Sequence, residues 1–372
     1  MKIPREAYEE VLSTDLDHIV TELSDEFGQL AGKTLLITGA AGFLGYYLVL
    51  AAVHYNRKAD AGDQIRILTL DSFFRGKPRW LSELADANEV ELIVSDLSKP
   101  VDFPKLDYII HAAGIASPMI YRKYPIECID ANIDGLRYLL DLSVQQGKDG
   151  HPISGFLFYS SSEIYGDPDP AEIPTAETYR GNVSCTGPRA CYDESKRFGE
   201  TLCVTFTKVH DLPIKVARPF NNYGPGLKLN DGRVLPDFCR CVLQDEDIVM
   251  YSDGTPTRTF CYSADSVVGY YKVLVVGRPG EAYNIGTETP EISMRDLADM
   301  TVATAKDLFG YEGKVVRQAN EEDEYLVDNP NRRCPNITKA KTELGYHPAY
   351  DLESGVRRTI IWYAHNMDPA GI

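Results

Sequence analysis

The chain has 372 residues, a formal charge of −17 at pH 7, 44% hydrophobic residues and 25% charged ones. That length and balance describe a soluble globular protein with a sizeable core, built as one large α/β domain or as a domain with a smaller lobe. So acidic a chain argues against nucleic acid or an anionic membrane as partner. No run is apolar enough to span a bilayer, and the N-terminus lacks a basic-then-apolar leader, so a cytoplasmic location is expected. Eight cysteines are scattered without CxxC pairs or matching histidines, which points to reduced thiols and to neither a disulfide framework nor a metal site.

In chain order, residues 1–32 read as an acidic amphipathic helical extension. Tyr8, Val11, Leu12, Leu16, Ile19, Val20 and Leu23 recur at helical spacing, and the apolar face is expected to pack on a sheet or on a partner subunit. From Thr34 strands and helices alternate, with strands expected at 34–38, 65–70, 91–94, 107–111, 155–160 and 213–218. That alternation implies an α/β fold with a doubly wound, Rossmann-type parallel sheet spanning residues 33–220. Past Pro219 the regularity gives way to the turn-rich Phe220–Gly226 loop and to shorter elements. Residues 221–372 are expected to form mainly a smaller C-terminal α/β lobe, interleaved with the first domain, that closes over the carboxyl ends of the sheet.

Three stretches carry chemistry. The first is Gly39-Ala40-Ala41-Gly42-Phe43-Leu44-Gly45, which follows the strand at 34–38 and opens a long apolar helix. A strand, a glycine turn and a helix N-terminus offer outward backbone N–H groups and no Cβ to block a pyrophosphate. The second strand ends at Asp71, whose carboxylate suits an adenosine ribose and repels a 2′-phosphate; NAD is favoured, while nearby Arg75 and Lys77 keep NADP open. Asp96, closing the third strand, either reaches adenine or caps a turn.

The third is Tyr192-Asp193-Glu194-Ser195-Lys196, preceded by Ser160-Ser161-Ser162-Glu163-Ile164-Tyr165-Gly166. Residues four apart share a helix face, so the Lys196 ammonium is expected beneath the Tyr192 phenol, lowering its pKa and making it a base for a sugar or alcohol hydroxyl.

Together these motifs resemble the extended short-chain dehydrogenase/reductase family, the NAD-dependent epimerases and dehydratases that act on nucleotide sugars, over residues 33–365. Within it the chain is most similar to UDP-glucuronate decarboxylases. That likeness is carried by Asp71–Gly76, Ser162–Pro168, Gly187–Glu194, Asn230–Val234 and Thr257–Phe260. The resemblance implies Tyr192 as base with Lys196 as its electrostatic partner and ribose anchor, Ser161 or Ser162 on the reacting 4-oxygen, and Glu163 beside C5 and the carboxylate. It implies Gly39, Gly42, Phe43, Leu44, Gly45, Asp71, Ser72, Phe73, Arg75, Asp96 and Leu97 around NAD. Tyr121, Asn221, Arg233 and Arg258 fall on the nucleotide sugar, the two arginines on its diphosphate. A homodimer through helices near 126–146 and 192–209 is implied as well.

The implied reaction is decarboxylation of UDP-glucuronate through a 4-keto intermediate. The 4,6-dehydratases carry an Asp-Glu pair where Ser162-Glu163 stands, and serine is a poor general acid, which counts against dehydration. The decarboxylases tend to carry lysines where Glu127 and Asp130 stand; two acids there would repel a uronate, so 4-epimerisation of a neutral sugar stays open. A non-catalytic NAD-binding scaffold is the remaining alternative, disfavoured because Tyr192 and Lys196 are both present.

Overall fold

Apolar runs of four to six residues, with β-branched and leucine side chains on both faces, make strands that must be covered from two sides. The computed structural model describes residues 3–97, 99–318 and 331–366. Helices α1 (Arg5–Glu22) and α2 (Ser24–Leu30) precede β1 (Thr34–Thr38), α3 (Phe43–Asn56), β2 (Arg66–Asp71), α4 (Arg79–Asp86) and β3 (Glu91–Val94). Next come β4 (Tyr108–His111), α5 (Pro118–Lys123), α6 (Pro125–Lys148), β5 (Gly155–Tyr159), α7 (Ala190–His210) and β6 (Ile214–Pro219). Shorter pieces follow: β7 (Asn222–Tyr223), α8 (Val234–Gln244), β8 (Ile248–Met250), β9 (Thr257–Arg258), β10 (Cys261–Tyr262), α9 (Ser263–Val276) and β11 (Ala282–Ile285). The last are β12 (Ile292–Ser293), α10 (Met294–Phe309), β13 (Val315–Arg317), β14 (Arg332–Arg333), α11 (Thr338–Leu344) and α12 (Leu352–Asn366).

The main sheet has seven parallel strands in the order β11-β6-β5-β4-β1-β2-β3. The chain winds outward from β1 to β3, returns to β4 beside β1, and winds to the other edge. At that reversal, between β1 and β4, the connections diverge and leave a crevice at the carboxyl ends of the strands. Alternation divides the core in two. Leu35, Ile37, Ile67, Ile110 and Leu157 pack on the face covered by α3 and α9, and Leu36, Leu68, Ile109, Phe156 and Phe158 on the face covered by α6 and α7.

Two expectations change. The N-terminal extension is two helices broken at Leu23, and it rests on α3, α9 and α12 rather than on the sheet, whose face those helices already cover. Its buried Asp15 accepts hydrogen bonds from Tyr47 (2.5 Å), Tyr262 (2.6 Å) and Arg358 (2.9 Å). The main sheet also gains a seventh strand: Ala282-Tyr283-Asn284-Ile285 is too short and too polar to stand out as a run, and pairing with β6 makes it a strand. The C-terminal half thereby supplies both an edge strand and the covering helix α9 of the dinucleotide layer.

Candidate active site

The crevice opens into a cleft of about 1020 Å³ that reaches from the glycine turn to β9 and β14. At one end, the turn after β1 is shaped by glycine. Gly39 has φ +69°, and a Cβ there would lie 2.7 Å from the Ala113 nitrogen; one on Gly45 would lie 2.4 Å from the Ala40 oxygen. Only glycine allows the backbone to fold so tightly, and it leaves the amides of the first turn of α3 facing the cleft. Gly42, Phe43, Leu44 and Gly45 all line it.

Asp71, at the end of β2, accepts hydrogen bonds from the backbone N–H groups of Ala41 (3.0 Å) and Phe73 (2.8 Å). Burial pushes its carboxyl up, and the two amides oppose that shift. The cations that kept NADP open are engaged elsewhere: Arg75 pairs with Asp231 at 2.6 Å, and Lys77 lies 5.6 Å over the Phe73 ring. Ser72, Asp96 and Leu97 complete the wall. These residues fit a dinucleotide: a backbone cradle free of Cβ atoms, a helix N-terminus and a carboxylate at the ribose position.

In the middle of the cleft Tyr192 and Lys196 stand one turn apart on α7, both buried. Tyr121 stacks on Tyr192 with centroids 5.2 Å apart and planes within 8°. The Lys196 ammonium donates to the Tyr159 carbonyl (2.9 Å) and lies 5.8 Å from the Tyr192 ring centroid. The expected depression of the phenol does not follow from this pair alone. Burial pushes Tyr192 up to about 12, with a Ser161 hydrogen bond pulling the other way, and burial lowers Lys196 to about 8. Low polarity disfavours each charged form, and in the protein by itself that outweighs their proximity.

Ser161, two residues past the end of β5, caps a single 3₁₀ turn, Ser162–Tyr165, by accepting from the Glu163 amide at 3.2 Å. Ser162 is buried in the cleft wall. Glu163 is held by two guanidiniums. Arg333 forks onto both of its oxygens at 2.5 and 2.6 Å, and Arg189, on the turn before α7, pairs with it as well. Burial alone would raise Glu163; Arg333 and then Arg189 overturn that and hold it down to about 2. Such a carboxylate stays ionised and passes no proton near neutral pH.

Arg258 is buried at the same end, lowered to about 9 by burial and by Arg333. It donates to the carbonyls of Thr257 (2.8 Å) and Asn331 (3.2 Å). Arg258 and Arg333 are register partners on β9 and β14. Asn221, after β6, donates to the Thr259 carbonyl at 3.0 Å, and Arg233 pairs with Asp231 at 3.0 Å; both line the cleft. Glu127 lines the cleft but is exposed, and Asp130 is exposed and outside the lining. Of the two acids that argued against a uronate, only Glu127 thus reaches the cleft, and it does so as an exposed side chain.

Sequence reasoning missed three residues here. Arg189 stood inside the Gly187–Glu194 run without a role. Arg333 had no local signal, because only the pairing of β14 with β9 carries it to the site. Asn132 of α6 donates to the Ser195 hydroxyl at 2.9 Å and is fully buried; Gly114 passes so close that a Cβ would meet its Oδ1.

A doubly wound sheet with a glycine turn after β1, an acid after β2 and a Tyr-Lys pair at the crevice defines a nucleotide-dependent enzyme of the dehydrogenase/reductase type. Residues 35–286 match the model of the NAD dependent epimerase/dehydratase family, and the chain belongs to that family, with NAD as its cofactor. It is 34% identical to UDP-glucuronic acid decarboxylase 6 of Arabidopsis thaliana over 322 residues, covering 87% of this chain and 86% of that one. It is 34% identical over 336 residues to UDP-glucuronic acid decarboxylase 1 of Xenopus tropicalis, covering 90% and 73%. Among solved structures, a UDP-glucose 4-epimerase of Thermotoga maritima superposes with a TM-score of 0.75 at 22% identity, covering 90% of this chain and 100% of that one. A dTDP-glucose 4,6-dehydratase of Streptomyces venezuelae gives 0.74 at 24%, covering 89% and 97%. These two likenesses are of fold.

Proposed function

We propose that the protein is an NAD-dependent decarboxylase that converts UDP-glucuronate to UDP-xylose or to the 4-keto-pentose. The observation that carries this reading is the arginine-walled end of the cleft. Arg189 and Arg333 there already grip one carboxylate, Glu163, within the wall that holds Tyr192 and Ser162, and forked guanidiniums are the side chains best matched to a carboxylate. The names of its relatives, alike over nearly the whole chain, agree with it.

The amides of Gly42 to Gly45 would hold the pyrophosphate of NAD and Asp71 its adenosine ribose, with Asp96 and Leu97 towards adenine and Lys196 on the nicotinamide ribose. When bound, NAD supplies the acceptor and donor of the C4 hydride and an additional positive charge. Tyr192 takes the proton of the C4 hydroxyl, and Ser161 holds the phenol for it. A ketone at C4 makes the C6 carboxylate that of a β-keto acid. When the C5–C6 bond breaks, carbon dioxide leaves and the electron pair settles as an enolate on O4, which the Tyr192 phenol and the Ser161 and Ser162 hydroxyls stabilise. A proton from water is then added at C5, and for UDP-xylose the C4 hydride and the proton held by Tyr192 would be returned to C4 and O4. Glu163 acts by charge: fixed as an anion, it positions Arg189 and Arg333. Arg258 and Arg233 hold the diphosphate, with Asn221 and Tyr121 against the sugar.

Incubating the protein with UDP-glucuronate and following product mass tests this reading. Loss of carbon dioxide supports it, and an unchanged mass with an altered sugar would establish 4-epimerisation instead. We place the protein in the cytoplasm, where its eight free thiols remain reduced; no helix among the described residues is long and apolar enough to cross a membrane. We further propose a homodimer: α6 and α7 pack together and present exposed Ile126, Ile129 and Phe198 on their outer faces. Sedimentation as a monomer would refute that assembly.

A further inference from the structure

The segment from Gly226 to Arg233, after β7, lines the cofactor end of the cleft and is fastened at three places to the dinucleotide layer. Against the first turn of α3, Gly226 lies so close that a Cβ would be 2.5 Å from Tyr46 Cβ and 2.9 Å from the Phe43 oxygen. On the loop after β2, the Lys228 ammonium donates to the Arg75 carbonyl, and the Arg75 guanidinium pairs with Asp231 at 2.6 Å. From the loop after β4, the Ser117 hydroxyl donates to the Asp231 carbonyl at 3.0 Å. Asp231 is the hub: its side chain is 2% exposed, and its second oxygen takes Arg233 at 3.0 Å. Phe43, Arg75, Ser117, Asp231 and Arg233 all line the cleft.

We propose that residues 226–233 form a strap across the NAD groove and that the Arg75–Asp231 ion pair is its latch, setting how fast bound NAD escapes. The start of α3 and the two loops the strap joins surround a dinucleotide at a switch point. A cofactor lying beneath the strap leaves only after the strap lifts, and lifting it separates a guanidinium from an almost fully buried carboxylate. Arg75, four residues after the ribose carboxylate Asp71, thus acts as a positioning residue rather than as a ligand for a 2′-phosphate. The inference rests on the NAD seat alone and is independent of which sugar the enzyme transforms.

The test uses the purified NAD-loaded protein without sugar substrate, following displacement of bound NAD by excess fluorescent etheno-NAD. Arg75→Met should release NAD about tenfold faster, since losing one partner of a close charge pair acts chiefly on dissociation. Arg75→Lys should recover most of the retention. Asp231→Asn also frees Arg233 and risks misfolding, so Arg75→Met carries the test alone if that variant does not fold. Where it folds, the Arg75→Met/Asp231→Asn double variant should release NAD no faster than the faster single, because both changes break one contact. An unchanged release rate in Arg75→Met, or effects that multiply in the double variant, would overturn the latch.

Discussion

Arg333→Met should erase most of the protein's preference for a carboxylated sugar, and Glu163 measures how much. Holding a buried carboxyl at about 2 against an ordinary 4.5 corresponds to about 3 kcal/mol in favour of the anion, after burial has exacted its cost. A uronate carboxylate would reach those guanidiniums while Glu163 still occupies their forks, so it gains only part of that amount. The protein should then bind UDP-glucuronate about tenfold more tightly than UDP-glucose, its neutral counterpart. Arg333 makes both fork contacts and Arg189 one. Losing Arg333 should therefore bring the ratio close to one, while the affinity for UDP alone holds. Calorimetric titration of NAD-loaded protein in a Tyr192→Phe background, where turnover is blocked, reads all three affinities. A ratio unchanged by Arg333→Met would refute the role given to Arg333. A parent protein with no preference would refute the uronate reading itself.

Three further outcomes are expected. Tyr192→Phe should abolish turnover while NAD remains bound; because burial raises the phenol to about 12 without cofactor, phenolate absorbance should appear at lower pH once NAD adds its charge, and a titration indifferent to NAD would count against Tyr192 as base. The folded pKa of Glu163, about 2, lies below its ordinary 4.5, so its stabilisation is complete above pH 4.5 and is lost as the pH falls toward 2. Glu163→Gln should lower the unfolding free energy in urea by roughly 2–3 kcal/mol at neutral pH and by less near pH 3, and a loss independent of pH would show that the Arg forks are not its source. Gly45→Ala, whose Cβ would sit 2.4 Å from the Ala40 oxygen, should cost roughly 1–3 kcal/mol of stability and weaken NAD retention; an unaffected thermal midpoint would mean the turn relaxes freely.

Much of the dinucleotide half was legible because its signals are local. The strand, glycine turn and helix that hold Gly39 to Gly45 are contiguous, and Tyr192 and Lys196 are set one turn apart by helix geometry. The substrate half was less so. Arg258 and Arg233 were singled out through motif likeness and line the cleft, while Arg333 was invisible because only the β9–β14 register brings it there. Glu163 was singled out, but its environment was not: only the folded chain brings Arg189 and Arg333 against it and holds it as an anion. Glu127 and Asp130 part company in the fold: Glu127, though exposed, lines the cleft, while Asp130 lies outside its lining, a difference that their nearness in sequence does not show.

By itself, the sequence determined the doubly wound sheet, the NAD-type turn and the Tyr-Lys pair, because each depends on residues a few positions apart and on backbone geometry that no distant contact needs to specify. Tertiary structure alone decided the electrostatics. Burial puts Tyr192 high and Lys196 low, and Arg189 and Arg333 keep Glu163 charged. Asp231 draws Arg75 across from one loop to another. Those states depend on solvent exclusion and on charges brought together from remote parts of the chain, and neither exists until the chain has folded.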